Sequence, residues 1–177
     1  MTPASIFQIH LALGYVPWLL VCGAYFWPWL WSVDRATAHS AIAALHSFRF
    51  FGLAFLVPGV VSPDLPASFA DFAAYGDFAT GLLAMGALLA VRIRPLFWVL
   101  VVAFNVVGAA DILVGYLHGI QMGLPERAGE LGATYAIPVL YVPLLMITHA
   151  TALVLMLRGR PVAAPALSTP AAPSRAI

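Results

Sequence analysis

His46, Arg49, Asp77, Asn105, Asp111 and His149 are polar side chains set in runs of apolar residues. Arg49 is the costliest of them. It lies in a stretch of about 22 mostly apolar residues, 40–61, long enough to cross a bilayer. Insertion scales put an arginine at the centre of such a helix at roughly 2.5–3.5 kcal/mol. A partner is therefore expected, and Asp77, Asn105 and Asp111, on later apolar runs, are the candidates; the sequence does not choose among them. Such a cluster serves either as a buried ion pair that fixes helix register or as part of a path for a proton, ion or substrate.

The histidines carry a second possible chemistry. His46 and Arg49 are three apart and share a helix face. His149, between Thr148 and Thr151, reads as a core histidine with its hydrogen bonds satisfied, or as a ligand. His46 and His149 fall at similar depth in one half of the expected membrane, and His10 and His118 at similar depth near the opposite interface. Haem b held by two histidines across a helical bundle needs such matched pairs. Five histidines spread along a helical bundle also match by chance, so haem stands as the alternative and no cofactor is assigned. The single cysteine, Cys22, excludes an internal disulfide and a cysteine-based metal site. No phosphate-binding loop, dinucleotide glycine motif or hydrolase motif occurs, and no reaction is assigned.

The elements that must position these residues follow from composition and hydropathy. Of 177 residues, 63% are hydrophobic and 8% charged, where a soluble domain carries about 25% charged residues. This is the composition of an integral membrane protein. A net charge of +1 with no basic patch excludes nucleic acid as a partner. Met1 to Ser5 carries no basic side chain, so a secretory signal is not expected there. The expected fold is all-α: a polytopic bundle of five transmembrane helices over 1–157. The first, 6–31, holds Pro17 and Pro28 and ends in an aromatic belt of Tyr25, Phe26, Trp27, Trp29 and Trp31. The second is 40–61. A proline-rich break and an amphipathic stretch, 67–75, lying along the surface, precede the third, 71–91. The fourth is 96–117 and the fifth 135–157. The Pro/Ala/Ser-rich remainder, 158–177, reads as a disordered cytoplasmic tail.

Arginine sets the orientation, since lysine is absent. Arg35, Arg92, Arg94, Arg158, Arg160 and Arg175 fall on one side and Arg127 on the other. The positive-inside rule then gives an outside N-terminus and a cytoplasmic C-terminus, which agrees with five crossings. Frequent alanine and an all-arginine basic set fit a GC-rich bacterial genome, and hence the bacterial inner membrane.

Four features of helices two to five resemble the DoxX-like family of small four-helix bacterial membrane proteins. They are Arg49 ahead of Gly52; Pro63 and Pro66 in the following loop; Asp77 ahead of Gly81-Leu82-Leu83-Ala84-Met85-Gly86; and the basic turn at Arg92 and Arg94. The resemblance covers 40–157, with an additional N-terminal helix. It implies an accessory or small-molecule-handling membrane protein, with lipid, other redox subunits or quinone as partners. A small proton-coupled transporter using Asp77 and Asp111 is the further alternative.

Overall fold

The computed structural model describes residues 1–157, and the expected tail, 158–177, lies outside them. The described residues are all-helical. Helix α1 spans Pro3–Ser32, α3 Ala67–Leu89, α4 Arg94–Gln121 and α5 Ile137–Leu157; these four are long and apolar enough to cross a membrane. Between α1 and α3 lie α2, Arg35–His46, and a 3-10 segment, Ser47–Leu56.

The expected single helix over 40–61 is therefore corrected. It starts earlier because Asp34 caps it: the carboxylate accepts from the Thr37 hydroxyl and from the backbone N–H groups of Ala36 and Thr37. The Thr37 hydroxyl, with those backbone donors, holds the Asp34 carboxyl below its ordinary range. Past His46 the winding tightens. The buried residues of the 3-10 segment are Arg49, Gly52 and Phe55, and a spacing of three is the period at which 3-10 side chains eclipse. An α-helix would turn Phe55 well away from Arg49. Tight winding also stretches the segment by about 2.0 Å per residue rather than about 1.5 Å. Laid end to end, α2 and the 3-10 segment would measure roughly 38 Å.

Contacts at both ends show that this stretch runs the length of the bundle. At its start, Arg35 donates to the Met156 carbonyl at 2.8 Å and lies over the Trp98 ring. Beyond its end, the Ser62 N–H donates to Glu130 O at 2.8 Å and the Ala133 N–H to Val60 O at 2.9 Å. The loops after the 3-10 segment and after α4 are thus joined by backbone hydrogen bonds at one end. Gly132, at φ +52°, makes this approach possible, because a Cβ there would strike the Val60 carbonyl.

The amphipathic stretch 67–75 does not lie along a surface. It is the first part of α3, and Phe69, Ala70 and Ala74 are buried. Two apolar cores result. One holds Phe7, Phe55, Phe69, Leu124, Leu131 and Ile137. The other, at the Arg35 end, is rich in alanine: Ala38, Ala43, Ala84, Ala87 and Ala152 sit beside Phe97, Val101 and Phe104. Small residues let helix backbones approach closely, which carries packing where lipid removes the hydrophobic drive between helices.

Helix α1 covers a weak point of α5. Pro143 has no N–H, so the carbonyl four residues back, Val139, loses its intrahelical donor, and residues Ile137–Tyr141 widen into a π turn. Gly14 packs directly on Val139 O, while the Trp18 indole N–H donates to Leu140 O at 2.8 Å.

Candidate functional site: a polar layer between two apolar cores

Between the two cores, four elements contribute one buried polar layer. Arg49, 1% exposed, engages partners on three helices. Its Nε donates to Asp77 Oδ1 on α3 at 2.6 Å and its Nη2 to Asp111 Oδ2 on α4 at 2.6 Å. Its Nη1 lies 3.3 Å from both the Gly108 carbonyl and His149 Nε2 on α5. The choice the sequence leaves open is thus resolved by both aspartates taking the arginine together. Asn105 is not a partner of Arg49.

Asn105 instead fixes His149. Its Nδ2 donates to Val101 O at 2.8 Å, which leaves Oδ1 to accept from His149 Nδ1 at 3.0 Å. With its proton on Nδ1, His149 presents Nε2 as an acceptor to Arg49, so the network assigns the neutral tautomer. Donors and acceptors therefore run in one direction, from Arg49 through His149 and Asn105 to the α4 backbone.

His46 stands beside this chain. Its Nε2 meets Thr148 Oγ1 at 3.0 Å, and its ring lies against that of His149 with centroids 4.0 Å apart. Its Nδ1 is buried with no hydrogen bond among the described residues. Haem does not fit here: two rings in contact leave no place for an iron between them, and both Nε2 atoms are already engaged. His10 and His118 do not form a pair either. His10 bonds the Tyr135 hydroxyl at 2.9 Å, and His118 packs edge-on against Phe72.

Three glycines make the layer compact, and the sequence reading assigned none of them to the site. A Cβ at Gly52 would strike the Asp77 carboxylate, and one at Gly76 the Asp111 carboxylate. A Cβ at Gly108 would fall 2.6 Å from His149 Nε2 and 2.7 Å from Arg49 Nη1. The readable signal was their placement: each lies within three residues of a charged side chain inside an apolar run.

The layer forms part of the wall of a cavity of about 290 Å³. Arg49, Asp77 and Asp111 reach it from three elements; the rest of the wall is mostly apolar and includes Phe7, Phe55, Phe69 and Phe72. Tyr116 lines it as well, its hydroxyl paired with that of Tyr15 on α1 at 2.9 Å. A mostly apolar hollow with a few converging polar groups is the usual form of a small-molecule site.

Residues 6–157 match a family described as a domain of unknown function, DUF8737, and the chain belongs to that family. No curated protein and no solved structure matches it.

Proposed function

We propose that this chain is a five-crossing protein of the bacterial inner membrane, of DoxX-like organisation, that handles an apolar small molecule at the Arg49 cluster. The observation that carries this reading is the cavity of about 290 Å³ with Arg49, Asp77 and Asp111 in its wall. A structural ion pair alone needs no hollow beside it. An intramembrane cluster that meets one has the form expected of a ligand site. The DoxX-like resemblance adds a membrane redox system as the setting.

The fifth crossing in this proposal is the α2–3-10 stretch. Its length and its end-to-end contacts support it, and the arginine asymmetry supports a cytoplasmic end at Arg35, Arg92 and Arg94. A reporter active only outside the cytoplasm should work when inserted at Gly123, and one active only inside should work after Leu157. Cytoplasmic signals at both positions would contradict five crossings.

Gly115 supplies the test of the cavity. It lines the wall, and a Cβ there meets only Phe72 Cε1, at 3.8 Å. Gly115→Leu should fill the hollow without disturbing Arg49. Native mass spectrometry of wild type released from its own membrane should detect a retained small molecule, and Gly115→Leu should lose it while keeping its thermal stability. Equal retention by both, or by neither, would count against the reading.

A further inference from the structure

The charge count in the cavity wall is unequal, and it bears on what the cavity takes. One guanidinium faces two carboxylates. His149 adds no positive charge, because its Nε2 accepts from Arg49; a proton there would set two cations against each other. Each carboxylate also keeps one oxygen, Asp77 Oδ2 and Asp111 Oδ1, with no hydrogen bond among the described residues. Asp77 is only 6% exposed. Leaving a net negative charge at this depth is expensive. With no ligand, the charge is balanced if one carboxyl carries a proton. With a ligand, it is balanced if the ligand is a cation. The cavity wall suits a cation of apolar body: Phe7, Phe55, Phe69, Phe72 and Tyr116 line it, and aromatic side chains favour quaternary ammonium groups.

We propose that the cavity binds a lipophilic organic cation in exchange for one proton, held by Asp111 when the cavity is empty. This rests on the cavity reading above and names its ligand class. Asp111 is the exchanging group because its side chain is the more exposed of the two, 11% against 8% for Asp77. The groups around it are Arg49 from the 3-10 segment, Asp77 from α3, His149 from α5 behind Arg49, Tyr116 on its own helix and Tyr15 from α1. Of these only the carboxyls are free to carry the exchanged proton. The balance is simple: the O–H bond of the Asp111 carboxyl breaks, the proton leaves to water, and the cation takes its place beside the carboxylate.

The test uses the full chain in lipid nanodiscs, with benzyltriethylammonium as a permanently charged probe and decylubiquinone as a neutral one. Titration calorimetry in two buffers of different protonation enthalpy counts protons. One proton should be released per cation bound, and affinity for the cation should rise about tenfold per pH unit while Asp111 is protonated. Asp111→Asn should abolish proton release and weaken cation binding at least tenfold, whereas Asp111→Glu should retain both. Cation binding without proton release would overturn the exchange. Binding of decylubiquinone alone would overturn the cation assignment and leave the cavity reading standing. If neither probe binds and Gly115→Leu releases no native ligand, both readings fall.

Discussion

Arg49→Ala should nearly abolish the folded protein recovered in detergent, whereas Asp77→Asn or Asp111→Asn alone should lower its stability far less. The asymmetry comes from the charge count. Removing the arginine strands the Asp77 carboxylate and takes from Asp111 the guanidinium it shares, and breaking a buried pair typically costs about 3–5 kcal/mol. Removing one carboxylate charge leaves an arginine still paired with the other. Its cost is then chiefly weakened hydrogen bonding, about 1–3 kcal/mol. Arg49→Leu combined with both Asp→Asn changes should recover much of the lost yield, since no charge is then left unpaired. Where Asp111 holds its proton, combining it with Asp77→Asn alone should recover as much, whereas combining it with Asp111→Asn alone should not, because the Asp77 carboxylate stays stranded. Circular dichroism melts in one detergent give the ranking. Equal losses for the arginine and the aspartates would mean that the two carboxylates do not share it.

Gly108→Ala should damage the polar layer severely, although it adds only one methyl group. The new Cβ would meet His149 Nε2 and Thr80 Cγ2 at 2.6 Å and Arg49 Nη1 at 2.7 Å. None of these yields easily: Arg49 is held by two carboxylates and His149 by Asn105. Overpacking commonly costs about 1–3 kcal/mol, and here the damage also reaches hydrogen bonds of the layer. Gly76→Ala should be at least as damaging, because its Cβ would overlap the Asp111 carboxylate. Gly23→Ala is the control, with nothing within 4 Å of its Cβ. A Gly108→Ala melt indistinguishable from that of Gly23→Ala would show that the layer is looser than described.

Much of this organisation is legible in the residues. An arginine in an apolar run demands a counter-charge, and Asp77 and Asp111 were the available carboxylates in the later runs. What the sequence hides is that both serve at once, since spacing along separate helices says nothing of how those helices converge. The 3-10 winding is hidden for a related reason. Arg49 and Gly52 share a face in either winding, and only Phe55 separates the two. The start at Arg35 was readable from Asp34 and Thr37, whose capping signal is overshadowed by the apolar run beginning later. The stretch 67–75 looks amphipathic only because Asp71 and Tyr75 face outward, while Phe69, Ala70 and Ala74 fill a core. Histidine depth misled in a different way: His46 and His149 are indeed level, but level and in contact, which suits ring packing rather than a metal between them.

The most direct test is hydrogen exchange at the arginine side chains. The chain has eight arginines and no lysine, so selective nitrogen labelling reports every basic side chain. In lipid nanodiscs, one Nε–H signal should resist exchange far longer than the rest, disappear in Arg49→Lys, and shift strongly in Asp77→Asn, which removes the charge of its acceptor. Asp111→Asn should perturb the same residue's Nη2 group instead. Eight Nε–H signals exchanging at similar rates, or a protected signal indifferent to Asp77→Asn, would contradict an Arg49 buried between two carboxylates.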